Sequence, residues 1–188
     1  MSSLDKVFDE LLERILEPDV LNPARSDPVF YFVYPPEQML EVKRSLPRWM
    51  ARIRQEGLGI VRLSLARVLW ELIYKSGRWE AWLELEKEAE IDQINEAVRD
   101  VLRQENSLVK RVTSVIESTP EKTVVFITEA ELLHPYFRTR IIESHLHDKV
   151  PVPTVIFYPG RRSGQYGLRF LNFYSEDGNY RSTLMGET

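Results

Sequence analysis

Four side chains that can ligate metal crowd one short stretch: Glu143, His145, His147 and Asp148. Imidazole nitrogens and carboxylate oxygens are the donors that hold zinc and related ions. A helix, however, brings residues three or four apart onto one face, and His145 and His147 are two apart. The spacing instead puts His145 at the margin of an apolar stripe. It puts His147 near a helix C-terminus, where the backbone dipole favours a cation. The chain has three histidines and no cysteine, so thiolate metal sites, cysteine nucleophiles and disulfides are excluded.

Other reaction motifs fail on spacing. Glu41-Val42-Lys43 matches the E-x-K string of many metal-dependent nucleases. There the Glu and Lys share one face of a strand beside a metal-binding Asp. Here the string falls within a helical period, where residues two apart diverge. Ser163 lies among glycines in PGRRSGQYG, but a nucleophile elbow needs glycine two before the serine, and Arg161 stands there. A phosphate loop needs G-x-x-x-x-G-K-[ST], and the chain has no Gly-Lys pair. Gly57 and Gly59 precede a predicted strand instead of following one. Gly160, Gly164 and Gly167 lead into a strand, not into a helix whose N-terminus could hold an anion.

The arginines carry more. Arg138, Arg140, Arg161, Arg162, Arg169 and Arg181 all lie in the last third, while acids dominate the helical block Glu80–Glu105. Arg161 and Arg162 follow the fourth predicted strand, at the edge where an open α/β sheet holds its ligand crevice. They read equally as an anion site, for carboxylates, phosphate or nucleic acid, and as solvated loop arginines. Tyr158, Tyr166, Phe173, Tyr174 and Tyr180 add aromatic surface suited to protein contacts or base stacking. The formal charge of -4 argues against strong non-specific binding to nucleic acid.

Periodicity supplies the elements that position these groups. Leu4 to Leu16 has a 3.6-residue apolar period, with Ser2 or Ser3 as cap and Pro18 as stop. Asn22–Pro28 reads as a loop. Val29–Tyr34 is a continuous β-branched and aromatic run, as expected of a strand covered on both faces. Met39 to Ile53 is helical, with a kink or break expected at Pro47 and a stop at Gly57. Gly59–Leu63 is a second strand, completing a βαβ unit. Ser64 caps a third helix that Gly77 closes.

Trp79 to Ser118 reads as helix nearly throughout, with Ile91 to Ile116 in one register. About 27 residues of helix would span about 40 Å, with a break placed near Asn106-Ser107. Thr123–Thr128 is the third strand. His134-Pro135 begins a helix with Phe137, Ile141, Ile142 and Leu146 inward. Thr154–Tyr158 is the fourth strand, followed by a Pro-Gly turn. Leu168–Tyr174 and Tyr180–Leu184 read as a hairpin across Glu176-Asp177-Gly178-Asn179.

The 188 residues are expected to form a single domain, 1–188. No apolar run approaches the roughly 20 residues that span a bilayer, and the acidic amphipathic start lacks the features of a signal peptide. A soluble cytoplasmic protein is the expectation.

FYFVYPPEQMLEVKRSLPRWM, HPYFRTRIIESHLHD and VPTVIFYPGRRSGQYGLRFL with the closing NYRS are similar to the BrxB family of bacterial BREX phage-resistance systems. The similarity runs from the first amphipathic helix to the final strand. Two segments differ from the family pattern. Glu129-Ala130-Glu131 stands where a glycine-containing turn is usual, and YPPE replaces a more acidic string.

The resemblance implies a bacterial cytoplasmic protein acting beside a large ATPase, a DNA adenine methyltransferase and PglZ, an alkaline-phosphatase-superfamily protein. Such a system marks self DNA and blocks phage DNA replication. The resemblance brings no established enzymatic activity and no catalytic residues. It implies a P-loop-NTPase-like shape without a P-loop.

The expected fold is therefore a three-layer α/β domain with a mostly parallel sheet, a long helical segment between strands two and three, and a C-terminal hairpin. The expected role is that of a non-catalytic adaptor, binding PglZ first and the ATPase or methyltransferase as alternatives. The expected docking residues are Tyr158, Pro159, Gly160, Arg161, Arg162 and Arg169, together with the apolar stripe of the first helix. No metal, cofactor or membrane is expected. The rival readings are a nucleic-acid-binding subunit of the same assembly and a cryptic nucleotide-binding or metal-dependent enzyme.

Overall fold

In a computed structural model, residues 3–22, 28–146, 150–164, 167–178, 180 and 182–186 are described. The readings placed on Ser2, His147, Asp148, Tyr166, Asn179 and Arg181, and on the inside of the 22–28 loop, lie outside these residues. Strands β1 (Val29–Tyr34), β2 (Gly59–Ser64), β3 (Thr123–Thr128), β4 (Thr154–Ser163) and β6 (Thr183–Gly186) form a parallel sheet in the order β2-β3-β4-β1-β6. β5 (Gly167–Phe170) pairs antiparallel with the outer end of β4. Val29 to Tyr34 stand opposite Thr154 to Pro159, and Phe30 to Val33 opposite Thr183 to Gly186.

Helices cover both faces, which gives three layers. Successive side chains of β1 point to opposite sides. Phe30 and Phe32 join Phe126 and Phe157 beneath α1 (Ser3–Ile15) and α2 (Met39–Gln55). Tyr31 and Val33 join Val125, Ile127 and Tyr158 beneath α3 (Leu65–Lys75), α5 (Ile91–Arg103), α6 (Ser107–Glu117) and α7 (Thr139–Leu146). This explains the unbroken apolar composition of VFYFVY: both faces of the strand are core.

The stripe of α1 is buried here, through Leu4, Phe8, Leu11, Leu12 and Ile15. It packs on the sheet and is not available to a partner. Trp49 of α2 stacks on Phe8 with ring centroids 5.0 Å apart and planes 6° from parallel. Its indole N–H donates to Asp5 over 3.1 Å. Arg48 pairs with Asp5 and Arg52 with Asp9 along the same seam. Pro47 lies inside α2 without ending it. Gly57 takes the left-handed conformation (φ 79°) that closes the helix.

The helical segment between β2 and β3 is folded back on itself. A short helix α4 (Trp79–Leu85) precedes α5, and a capping box of Glu90 and Gln93 starts α5. Glu105 and Asn106 both adopt positive φ (52° and 57°), which ends α5 and lets α6 pack against it. The Ser107 hydroxyl donates to the Val101 carbonyl over 2.7 Å, satisfying a carbonyl that the break would orphan. The apolar register continues across the break because both helices face one core. Ile91 is the exception at 75% exposed, since it opens the helix beyond the edge of that core. Ile141 likewise points outward, while Ile142 and Leu146 are buried; α7 starts at Thr139 and not at His134-Pro135, so Phe137 is buried in the connection that precedes it.

The C-terminal hairpin is made of β4 and β5, one strand earlier than the residues the sequence suggested. The segment after β5 makes a single bridge, Leu168 to Asp177, before the chain crosses to β6 beside β1. Glu143 of α7 anchors this return. Buried itself, it accepts hydrogen bonds from the Ser182 backbone N–H (3.0 Å) and the Ser182 hydroxyl. Glu143→Ala would leave both donors unpaired, and an expected loss of about 2 kcal/mol should appear in urea unfolding. Glu143→Gln, which keeps an acceptor, should lose clearly less.

Candidate partner-docking site

Pro-Gly is ordinarily a turn signal. Here β4 runs straight through Pro159-Gly160 to Ser163. Pro159 falls on the last rung shared with β1, opposite Tyr34, where the strand leaves the parallel ladder and takes β5 as partner. A residue without an N–H is tolerated at such a change of partner. Gly160 serves close approach, because a Cβ there would collide with the backbone oxygen of Arg169 and lie 2.7 Å from the Tyr158 ring. The turn comes at Gly164, in the left-handed region (φ 63°).

The hairpin sorts the six expected docking residues by depth. Tyr158, Pro159 and Gly160 are buried. Tyr158 packs against Tyr31 and Phe170, with centroids 5.5 and 5.3 Å away. Burial, with a smaller contribution from neighbouring Tyr180, pushes the Tyr158 hydroxyl well above its usual range, so it stays neutral. Arg161 and Arg169 are exposed and directly opposite each other on the two strands. Arg162 is half-buried and reaches the Gly186 carbonyl at 3.5 Å. Its Nε is buried without a hydrogen-bond partner among the described residues. These three arginines, with Ser163 and Asn172, line a cavity of about 360 Å³.

Two guanidinium groups held this way suit a carboxylate or phosphate bound between them. Ser163 donates to Glu176 over 2.6 Å, which ties the tip of the hairpin to the following loop.

Arg138 and Arg140 are not part of this group. Arg138 lies over the Tyr174 ring, 3.4 Å from its centroid, and Arg140 faces Asp177 at 3.7 Å. Tyr174 also meets the His134 ring nitrogen. Desolvation, and then the nearby Arg138 charge, hold the His134 pKa below its ordinary value. The folded chain therefore binds a proton at His134 less readily than the unfolded chain does. Stability should fall as pH drops through about 6.5 toward the lowered folded value. Melting curves from pH 7.5 to 5 should show this, and His134→Gln should flatten that part of the curve.

The ends of β1 to β3, where a strand-turn-helix phosphate loop would lie, carry different chemistry. The turn after β1 is Pro35-Pro36, and proline offers no N–H to a phosphate. Glu129 and Glu131 follow β3. Lys43 of α2 lies 2.7 Å from Glu131 as an ion pair, while no well-directed hydrogen bond from a described residue reaches either Glu131 oxygen. Glu129 accepts from the Ser64 hydroxyl and pairs with Arg62 at 3.4 Å. Burial, then the charges of Glu131 and Glu129, push the Tyr34 hydroxyl well up. Carboxylates at this position repel a phosphate.

Glu129 also has positive φ (66°), the conformation for which glycine is suited. Its side-chain contacts with Ser64 and Arg62 hold Glu129 in this conformation.

Of the metal candidates, the two described side chains, Glu143 and His145, turn to different partners. Glu143 turns inward to Ser182, while the His145 ring lies against the Ile141 carbonyl of its own helix. Among the described residues no group of three or more His, Cys, Asp or Glu side chains could hold a metal ion. Glu41-Val42-Lys43 lies on α2, with Lys43 committed to Glu131.

Sequence reading passed over a second surface. Trp70, Tyr74 and Trp79 form a mutual ring cluster, with centroids 5.6 to 5.9 Å apart, and Trp70 and Tyr74 are exposed. Trp70 and Tyr74 are four residues apart on α3. That spacing would have marked a second aromatic stripe beside the buried one.

No helix among the described residues is long and apolar enough to cross a membrane. No solved structure matches the chain. Residues 61–185 match the family described as BREX protein BrxB. The chain is also 25% identical over 189 residues to a BREX protein BrxB of Bacillus cereus (strain H3081.97), covering 97% of both sequences. The family match takes in the arginine hairpin, the Glu129 turn and the aromatic cluster, and on that extent the chain belongs to the BrxB family of the BREX defence system.

Proposed function

We propose that this protein is a non-catalytic adaptor of a BREX assembly in the bacterial cytoplasm, and that it docks PglZ through the β4–β5 hairpin. The observation that carries this reading is the exposed cross-strand pair Arg161 and Arg169 beside half-buried Arg162, around a cavity of about 360 Å³. An acidic patch on the partner would complement this exposed cationic surface. Tyr158, Pro159 and Gly160 act from beneath, by fixing the register that places the arginines. The proline turn and the paired carboxylates at the strand ends support a binding role over nucleotide chemistry.

The test is co-purification. With the whole defence cluster expressed and this chain tagged, PglZ should be retained by the wild type and lost from Arg161→Glu/Arg169→Glu. Retention of PglZ by the charge-reversed chain, or no retention of PglZ by the wild type, removes the proposal. The same arginines suit phosphate, so the nucleic-acid reading is checked beside it. That reading requires a gel shift at low salt that weakens steeply as salt rises, and a flat titration excludes it.

A further inference from the structure

The aromatic cluster on α3 and α4 opens onto a cavity of about 340 Å³. Its walls are Leu69, Trp70, Ile73, Trp79, Trp82 and Leu83, and Leu132 and His134 close it from the β3–α7 connection. Trp70 is 44% exposed and Tyr74 61%, which is unusual for side chains of this size gathered in one place. The three outer rings touch one another, so there is no gap between them for a cation to enter as into an aromatic cage. The vacant volume is beside them, walled by tryptophan and aliphatic side chains together. Glu86, His134 and Tyr136 join the indole N–H groups as the polar members of an otherwise apolar lining, which suits a large apolar side chain.

Charge selects the occupant. From Trp79 to Asp92 the chain carries five glutamates and one aspartate against a single lysine. That lysine, Lys87, is already engaged by Glu84 at 2.8 Å. A second copy of this chain would bring the same acidic segment to a two-fold interface, placing like charges together. Nucleic acid would be repelled outright.

We propose that this cavity is a second docking site, which takes a basic amphipathic helix of a partner protein. A large apolar side chain of that helix fills the tryptophan-lined cavity, and flanking Lys or Arg side chains meet Glu80, Glu84 and Glu86. The inference extends the adaptor reading to a second surface, separate from the arginine hairpin, and the two are tested by different variants.

The probe is an array of overlapping 20-residue peptides covering the other proteins of the same defence system, incubated with the whole chain. The best binder is then titrated in solution. Binding peptides should carry apolar residues at i, i+3, i+4 and i+7 with basic flanks. Trp70→Ala should weaken binding about thirty-fold or more, as removal of a central aromatic anchor does. Glu80→Lys/Glu86→Lys, on exposed positions that leave the core intact, should weaken it about ten-fold and abolish its salt sensitivity. Arg161→Glu/Arg169→Glu should leave it unchanged.

The proposal is overturned if no peptide binds, if the binders are acidic, or if Trp70→Ala binds like wild type with an unchanged melting curve. Sedimentation showing a wild-type dimer that Trp70→Ala dissociates would also overturn it, by making a second copy the occupant.

Discussion

Gly160→Val is expected to cost about 2–3 kcal/mol of stability and to dismantle the hairpin that presents the arginines. A Cβ at this position meets the backbone oxygen of Arg169 on one side and the Tyr158 ring on the other. The backbone oxygen belongs to the paired strand and cannot swing aside as a flexible side chain can. β5 must therefore move away, and the register Gly160↔Phe170 and Arg161↔Arg169 goes with it. Tyr158 is buried against Tyr31, so strain passes into the core. Urea unfolding measures the loss of stability, and increased trypsin cleavage after Arg161, Arg162 and Arg169 reports opening of the hairpin. A variant as stable and as protected as wild type would show that the close approach is not required.

Trp49→Ala is expected to be the most damaging single change in the core, at about 3–5 kcal/mol. The indole is fully buried among Phe8, Phe32 and Phe157. It also donates to Asp5, which Arg48 pairs with from above. Removing it leaves a cavity against which α1 cannot settle, since Phe8 loses its stacking partner. For a domain of this size the melting temperature should drop by roughly 6–20 °C. Trp49→Phe keeps most of the volume and should recover over half of the loss. Equal melting temperatures for wild type and Trp49→Ala would contradict the packing of α1 described here.

The sheet was legible because its strands are short, apolar and bounded by strong stops. VFYFVY and TVVFIT are core on both faces, and a two-faced core strand needs no alternation to be recognised. The helical stripes were legible for the same reason, down to the Ser64 cap, whose side chain accepts from the Arg67 N–H. Local chemistry misled where tertiary pairing decided the outcome. Pro159-Gly160 has the composition of a turn, yet β5 recruits it into a strand, and only knowledge of that pairing separates the two. The final segment was assigned to a hairpin because strands close in sequence usually pair. It lies beside β1 instead, where Phe30 to Val33 offer a free edge.

Of the expected docking residues, Arg161, Arg162 and Arg169 reach a common cavity. Tyr158, Pro159 and Gly160 lie beneath it, because alternate positions of a strand covered on both faces leave little side chain for solvent. Trp70, Tyr74 and Trp79 escaped notice because composition counts tryptophan as core. Their exposure follows from α3 burying Leu65, Val68, Leu69 and Ile73, which turns Trp70 and Tyr74 away.

Calorimetric titration of purified PglZ into this chain tests the central claim most directly. The account predicts a saturable complex that weakens with added salt and at least ten-fold with Arg161→Glu/Arg169→Glu, the variant melting within a degree or two of wild type. No heat with the wild type, or equal affinity for the charge-reversed chain, would contradict it.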